Sequence, residues 1–275
     1  KLVITDLLPH LGAEQGKKPL NEAIAGETLN ILLGSRPLGD DEDSDRVKLQ
    51  VLKRLYDKYG ITEADFTSAE LETVPAVNAT DIGLDASLIG AYGHDDRVCG
   101  FAALQALLDI GTPEKTAVCV LADKEEIGSM GVTGMQSAAF DTFMNDLCDS
   151  QNVALRVCYE NAFCLSADVT AAYDPNFADV YEKRNAAFLN HGVGLCKYTG
   201  ARGKSGSSDA NAETVGYVRG VLDKAGVRWQ ICEMGKIDAG GGGTVAQYMA
   251  NRNIATLDAG VPVLSMHAPF EVVAK

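Results

Sequence analysis

The sequence has no long apolar run and no secretory leader. Crossing a lipid bilayer takes about 20 consecutive apolar residues, and no stretch among the 275 residues approaches that length. The chain does not open with a signal-peptide pattern. Apolar residues nevertheless make up 46% of the composition, which is enough to bury a core. We therefore expect a soluble globular protein with one large domain or two small ones.

Basic residues are also scarce. The sequence holds 24 Lys and Arg against 38 Asp and Glu, for a formal net charge of -14. No cluster of Lys or Arg forms a basic stripe along the chain. Nucleic acids and anionic membranes bind through basic surfaces, so neither is an expected partner. The acidic balance instead favours solubility and the binding of cations.

Paired cysteine motifs are absent. The seven cysteines are scattered, and none has the C-x-x-C spacing of a redox or zinc site. Several stand inside apolar runs, as ordinary buried thiols do. We therefore expect a reducing, cytoplasmic setting. A run of four glycines at residues 240–243 matches neither a P-loop nor a dinucleotide-binding fingerprint.

Two regions of the chain differ in pattern, and we place their boundary at residue 80. Residues 1–80 form an irregular opening, in which a predicted helix stops at Gly60 and a second helix is capped by Thr62. Residues 70–74 are predicted as a strand. From residue 81 to residue 275 the pattern of strand, glycine turn and helix repeats, which predicts an α/β domain.

The predicted elements of the second region fall into two sets. The predicted strands cover residues 88–90, 116–121, 162–166, 227–232 and 263–266. The predicted helices cover residues 98–110, 136–147, 176–190 and 207–226. In α/β sheets ligands bind beyond the carboxyl ends of the strands, so the residues that follow each strand are the candidate functional residues.

Two adjacent glutamates follow the strand predicted at residues 116–121. Glu125 and Glu126 stand before a turn rich in glycine. Successive side chains of an extended segment point to opposite faces, so one carboxylate can bind a metal ion while its neighbour reaches a water molecule. Taken alone, an arbitrary pair of glutamates is more often a solvated acidic turn than a functional site.

Other acids and a histidine occupy equivalent positions. Asp95 opens the helix after the first strand, Asp168 follows the strand at 162–166, and His267 follows the last strand. Together with Glu126 they predict a site for Zn²⁺, Mn²⁺ or Co²⁺, which accept mixed carboxylate and imidazole ligands. Taken singly, Asp95 and Asp168 fit helix capping, and His267 fits a buried, hydrogen-bonded histidine.

Four segments follow one another along the chain: GAYGHDDRVCGFAAL, DKEEIGSMGVTGMQS, LSADVTAAYDPNF and LDAGVPVLSMHAPFE. They resemble the successive signatures of the M18 family of metallo-aminopeptidases, the group of aspartyl aminopeptidase and vacuolar aminopeptidase I. The resemblance implies a zinc-peptidase-like central mixed sheet flanked by helices, with two metal ions, zinc above all and cobalt or manganese as alternatives. It also implies that residues 1–80 are the end of an inserted dimerisation domain and that the subunits form homo-oligomers, commonly dodecamers.

The resemblance also assigns roles to the candidate residues. It implies that Asp95 bridges two metal ions, that Glu126 and His267 each bind one ion, and that Asp168 binds the other. Glu125 is the implied general base.

The sequence departs from the family pattern at several positions. The family has a further histidine ligand in an H-x-D motif, and no histidine here stands in that context. The chain also begins at Lys1 rather than Met, so we expect it to be part of a longer polypeptide that carries the motif. His10 is a candidate substrate-binding residue for the active site of a neighbouring subunit. Ala171 and Asp174 replace histidines of the aspartyl type, which does not support a preference for acidic substrates.

The resemblance predicts an enzyme that removes the N-terminal residue of peptides with a free N-terminus. Two alternatives remain. A metal-dependent amidohydrolase or deacylase on the same scaffold would cleave substrates with a blocked N-terminus. A catalytically silent assembly protein would lack the H-x-D histidine in its complete sequence.

Overall fold

The structure is a computed structural model that describes residues 1–39, 45–202 and 205–275. It divides into two compact units, Lys1–Ala76 and Val77–Lys275. The division lies close to the boundary that we placed at residue 80. The identity of the first unit as part of an inserted dimerisation domain stays a prediction.

The first unit contains short elements. They are β1 (Val3–Ile4), α1 (Leu20–Ala23), β2 (Ile31–Leu32), α2 (Arg46–Tyr59) and α3 (Glu63–Ser68), and β1 pairs with β2 in antiparallel orientation. As predicted, α2 stops at Gly60, which has a φ of 70°. Thr62 caps α3 in a reciprocal box with Asp65. None of the described residues of this unit is fully buried, so they form no closed core.

The second unit contains the strands and helices that carry the candidate site. Its strands are β3 (Thr80–Ile82), β4 (Leu88–Ala91), β5 (Phe163–Ser166), β6 (Thr170–Ala171), β7 (Val193–Cys196), β8 (Tyr198–Ala201), β9 (Ser205–Asp209), β10 (Trp229–Ile231), β11 (Gly241–Gly242), β12 (Ala255–Gly260), β13 (Pro262–Leu264) and β14 (Glu271–Ala274). Its α-helices are α4 (His94–Asp109), α5 (Ala139–Ser150), α6 (Leu155–Glu160), α7 (Ala212–Ala225) and α8 (Ala246–Ala250). The α/β prediction is therefore confirmed.

The described strands of this unit form three sheets rather than one central sheet. Their strand orders are β10-β7-β12-β5, β11-β8-β9 and β3-β4-β14-β13-β6. The first and third sheets are mixed, because each contains both parallel and antiparallel pairs. The chain passes from the first sheet to the third twice, along β5 to β6 and along β12 to β13. Both crossings run side by side, and Asp168 lies in one of them.

Apolar side chains between helices and the first sheet form the main cores. On one side, Leu195 of β7 and Leu257 of β12 pack with Val218 of α7. On the other, Met144 of α5 and Met249 of α8 pack with other buried residues. Leu195 and Leu257 are almost fully buried, and burying each side chain stabilises the fold by about 1.5–3 kcal/mol.

The strand predicted at residues 116–121 is wrong. These residues have no regular secondary structure, and Val118, Val120 and Leu121 are exposed. The segment forms one wall of an open groove of about 440 Å³ between α4 and β5. Its apolar composition indicated a buried strand, but no described strand pairs with its backbone. The strand predicted at residues 70–74 is also absent from the described structure, and Leu71 and Val74 are exposed.

The helix predicted at residues 176–190 is also wrong. A 3₁₀ helix at Pro175–Val180 occupies its start, and the rest is irregular because its backbone groups bond elsewhere. The N–H of Tyr173 donates to the carbonyl of Ala187, and the N–H of Glu233 donates to the carbonyl of Asn185. These long-range bonds replace the hydrogen bonds that a helix would make.

The helix predicted at residues 207–226 is shorter than expected, because β9 occupies its beginning. It starts as α7 at Ala212, where the side chain of Asn211 accepts a hydrogen bond from the N–H of Thr214. Among the described helices, none combines the length and the apolar character that crossing a membrane requires.

Candidate metal centre

The turn between β4 and α4 presents Asp95. Gly93 adopts a φ of 72° just before the helix, a conformation that is easy only for glycine. Asp95 itself has a non-helical backbone with a ψ of 109°, and its peptide bond to Asp96 is cis. Its side chain is only 7% exposed. The sequence correctly placed Asp95 at a helix N-terminus, but its backbone departs from a regular helix.

A compact loop presents Glu125 and Glu126. Both lie in a 3₁₀ helix, Glu125–Ile127, between left-handed residues Lys124 and Gly128. Successive side chains of a 3₁₀ helix differ in direction by roughly 120°. We expected the two carboxylates to diverge because they lay on an extended segment. They lie in a 3₁₀ helix instead, and its geometry is the reason why they diverge. Glu125 is half-buried, whereas Glu126 is exposed.

Hydrogen bonds within this loop fix the position of the two glutamates. The hydroxyl of Thr133 donates to the carboxylate of Asp123, and Asp123 forms a bridge with Gly134. Buried Ser129 donates its N–H to the carbonyl of Lys124 over 2.7 Å. These contacts join residues that precede Glu125 to residues that follow Glu126, and they hold the loop between them in one conformation.

The turn between β13 and β14 presents His267. Its φ of 64° is unusual for a residue other than glycine. Its Nε2 lies 2.9 Å from Oδ2 of Asp95 and 3.3 Å from Oε2 of Glu126. The side chain is 62% exposed, so the alternative of a buried histidine is wrong.

A break between β5 and β6 presents Asp168. Its carbonyl oxygen packs so closely against Gly260 that a Cβ added to the glycine would lie 1.4 Å from it. Beyond the break, the N–H of Thr170 donates to the carbonyl of Val261. Asp168 thus leaves the strand at a point where only glycine fits beside it, and it does not cap a helix.

Among the residues that the structure describes, candidate ligand atoms form two groups that share Asp95. One group contains Asp95, Glu126 and His267, and the other contains Asp95, Asp96 and Asp168; within each group the ligand atoms lie within 4.8 Å of one another. Carboxylates with an imidazole suit zinc, cobalt or manganese. The donor set therefore fits the metal ions predicted from the sequence, and Asp95 occupies the shared position. The individual roles stay predictions.

The electrostatics of the site also favour a cation. Burial raises the pKa of Asp168 to about 9, with further contributions from negative neighbours including Asp258 and Asp96. Burial and the charge of Glu126 likewise raise the pKa values of Asp95 and Glu125. Burial and mutual repulsion therefore favour the protonated forms of several carboxylates. A divalent cation bound among them would reduce that repulsion.

Sequence reasoning missed two carboxylates near the site. Asp96 was not among the predicted ligands, yet it belongs to the second group of candidate ligands. Asp258 lies fully buried in β12, where its Oδ1 accepts a hydrogen bond of 2.6 Å from the hydroxyl of Ser166. The signal for Asp258 is one acid inside the apolar segment Ala255–Gly260, a position where a charge is costly without a function or a partner.

His10 lies in the first unit. It is exposed in a short 3₁₀ helix, Pro9–Leu11, of the first unit. Its role toward a neighbouring subunit stays a prediction.

Comparison with known proteins gives consistent matches over nearly the whole chain. A family model described as aminopeptidase I zinc metalloprotease (M18) matches residues 2–275. A probable M18 family aminopeptidase 1 of Clostridium acetobutylicum is 48% identical over 276 residues, which are 99% of this chain and 59% of that protein. The chain thus spans about three fifths of the length of this relative.

Solved structures agree with this match. A crystal structure of an M18 family aminopeptidase from Thermotoga maritima has a TM-score of 0.94 and 45% identity, covering 99% of this chain and 61% of that one. A structure described as the mApe1 dodecamer of Saccharomyces cerevisiae has a TM-score of 0.67 and 24% identity, covering 91% of this chain and 57% of that one. The second likeness shows the fold alone.

Proposed function

The chain belongs to the M18 family of aminopeptidase I zinc metalloproteases, as its motifs predicted, and we propose that it forms most of a two-metal aminopeptidase. The enzyme would remove the N-terminal residue from peptides with a free N-terminus. The observation that carries this proposal is the convergence of Asp95, Glu126, Asp168 and His267, drawn from separate loops, beside the carboxylate of Glu125.

The two groups of ligand atoms suggest how the metal ions would be held. Asp95, Glu126 and His267 would hold one ion. Asp95 and Asp168 would hold the other, with Asp96 within reach of the same group. Divalent ions at these positions, zinc first and cobalt or manganese as alternatives, supply Lewis-acid chemistry, because they stabilise negative charge on the scissile carbonyl oxygen and make water more acidic.

Glu125 would act as the general base. Its carboxylate lies beside the ligand groups, and burial together with the charge of Glu126 raises its pKa. A carboxylate with a raised pKa accepts a proton more readily than an ordinary exposed one. Glu125 would take the proton from the attacking water and pass it to the leaving amine, which departs as a neutral group.

Asp95 and Asp168 would serve mainly through their charge and fixed positions. Asp95 is nearly buried, and the close packing of Gly260 against Asp168 leaves that backbone little freedom. Both carboxylates would therefore keep their places when substrate enters. Preorganised charge of this kind costs no rearrangement during the reaction.

Self-association is a second part of the proposal. The first unit exposes apolar side chains, including Leu11, Leu20 and Ile24, and exposed apolar surface of this kind is typical of interfaces. A relative with this fold is described as a dodecamer. We infer a homo-oligomer as large as a dodecamer, in which His10 reaches the substrate of a neighbouring subunit. The free cysteines agree with a cytoplasmic location.

Paired substrates test the proposed activity. The protein, loaded in turn with Zn²⁺, Co²⁺ and Mn²⁺, is given one peptide with a free N-terminus and the same peptide with an acetylated N-terminus. We expect cleavage of the first residue from the free peptide alone. Cleavage of the acetylated peptide would favour the deacylase alternative, and no hydrolysis of either peptide with full metal loading would favour the silent assembly protein.

A further inference from the structure

Glu271 touches the backbone of two candidate metal ligands at once. Its Oε2 accepts a hydrogen bond of 2.9 Å from the N–H of Asp95, and its Oε1 accepts one of 2.8 Å from the N–H of His267. The residue is only 2% exposed. We infer that Glu271 is a positioning residue that holds these two ligands at a fixed separation, an inference that rests on the proposed metal centre.

The two ligands need such support because neither lies in regular structure. Asp95 has a non-helical backbone at the start of α4, and His267 has a φ of 64° in a turn. The N–H groups of both residues donate to the carboxylate of Glu271. A carboxylate suits this position because it offers two acceptor oxygens, one for each N–H group.

The sheet places Glu271 where it can reach both loops. It begins β14, which lies between β4 and β13 in the third sheet. The strand β4 leads to the loop of Asp95, and β13 leads to the turn of His267. Glu271 pairs with Ala91, the last residue of β4. One side chain on the central strand therefore spans the ends of both neighbours.

Close packing fixes the start of β14 as well. The ring of Phe270 lies so near Gly90 of β4 that a Cβ added to the glycine would be 2.4 Å from it. Phe270 thus fixes the position of β14 relative to β4. This gives a physical reason for the spacing His267-Ala268-Pro269-Phe270-Glu271, because a tight turn returns the chain and the glutamate then reaches back to the amide of His267.

The two bonds to Glu271 control the distance between His267 and Asp95. Nε2 of His267 and Oδ2 of Asp95 lie 2.9 Å apart, although one follows β13 and the other follows β4. Without the carboxylate of Glu271 the two loops would move independently, and two part-buried N–H groups would lose their acceptors. Metal affinity should then fall more than the rate of the chemical step, because Glu271 contacts the backbone of two ligands and is not itself in either group of candidate ligands.

Substitution of Glu271 tests the inference. Glu271→Gln keeps the shape but replaces one acceptor oxygen by an NH₂ group that faces a backbone N–H. Glu271→Asp is one methylene shorter and is included in case the glutamine variant fails to fold. The matched control is Asp141→Asn, since Asp141 is a structural carboxylate that accepts hydrogen bonds from Arg252 and Tyr159.

The readouts separate positioning from general stability. Zn²⁺ affinity is measured by competition with a chromogenic chelator, unfolding is measured in EDTA, and kcat is measured at saturating Zn²⁺. We expect both Glu271 variants to lose about 10–100-fold in Zn²⁺ affinity, the usual effect of outer-shell substitutions. We expect Asp141→Asn to keep its Zn²⁺ affinity even where its unfolding midpoint falls as far.

Each result has one meaning. Wild-type Zn²⁺ affinity in the Glu271 variants, or a loss no greater than that of equally destabilised Asp141→Asn, would overturn the inference and leave the proposed aminopeptidase intact. A wild-type protein that binds Zn²⁺ but hydrolyses no peptide would overturn the proposed function, and a selective loss of affinity in the Glu271 variants would still support their positioning role.

Discussion

Nε2 of His267 lies 2.9 Å from Oδ2 of Asp95 and 3.3 Å from Oε2 of Glu126. The three residues come from three separate loops, and the described structure brings their donor atoms into one group. Asp95 also belongs to a second group with Asp96 and Asp168. The shared residue should therefore matter more for metal binding than any residue that belongs to one group alone.

Asp95→Ala should disturb both metal sites, whereas His267→Ala or Asp168→Ala should mainly weaken one. We expect the Asp95 variant to lose more than about 100-fold in affinity at both sites, beyond the range of outer-shell substitutions. Metal content after dialysis and Zn²⁺ titration give the measurement. Equal loss at a single site in all three variants would argue against a bridging role for Asp95.

Glu125→Gln should abolish most activity and leave the metal centre intact. The variant keeps the shape of the side chain but removes the carboxylate that accepts the proton, so kcat should fall by roughly 10²- to 10⁴-fold. Metal content is measured beside peptide hydrolysis. Glu126→Gln is the matched comparison, because Glu126 lies in the ligand group and its substitution should lower metal content. A fully active Glu125→Gln variant would remove Glu125 from the mechanism.

The sequence was most informative where backbone chemistry is local. Gly60 ends α2, Thr62 caps α3 and Asp95 lies in the first turn of α4, as predicted. The positions of Asp168 and His267 beyond strand ends were also correct, because an apolar run followed by an acid or a glycine turn is a short-range signal. The family motifs then gave the combination of residues, which no single segment specifies.

Long-range effects explain what the sequence did not predict. The apolar segment at residues 116–121 has strand composition, but a strand also needs a partner for its backbone, and the described strands offer none. The amides of Asp95 and His267 donate to Glu271 of β14, a strand that lies between β4 and β13 in the sheet, so the contact depends on long-range strand pairing. Asp258 was missed for the same reason, since its bond to Ser166 joins β12 to β5.

Gly260→Ala should displace Asp168 and weaken metal binding. A Cβ at residue 260 would lie 1.4 Å from the carbonyl oxygen of Asp168, so the backbone there must move. We expect a destabilisation of about 1–3 kcal/mol from overpacking, together with a loss of Zn²⁺ at one site. Urea unfolding and Zn²⁺ titration are the measurements.

The control for this change is Gly216→Ala in α7. Gly216 has nothing within 4 Å of an added Cβ, and alanine is the better helix former by about 0.5–1 kcal/mol. The control should therefore be neutral or slightly stabilising, with wild-type Zn²⁺ binding. If Gly260→Ala were also neutral or stabilising and bound Zn²⁺ as the wild type does, the close packing of Gly260 against Asp168 would not be needed for metal binding.

The metal-free protein should lose stability as the pH rises from 6 to 8.5. In the folded chain burial raises the pKa of Asp168 to about 9 and that of Asp258 to about 7, from an ordinary value of 3.8. A raised pKa means that the folded state holds protons that the unfolded state has released. The stability this contributes is fully present below the unfolded pKa and is lost as the pH rises through the folded value.

Urea unfolding of EDTA-treated protein across this pH range measures the effect. Asp258→Asn should flatten the part of the curve near pH 7, because asparagine does not titrate. Saturating Zn²⁺ should reduce or reverse the loss between pH 6 and 8.5, since metal binding requires the deprotonated ligands and therefore strengthens as the pH rises. A metal-free protein whose free energy of unfolding stays constant or increases over this range would show that these carboxylates are already ionised in the folded chain.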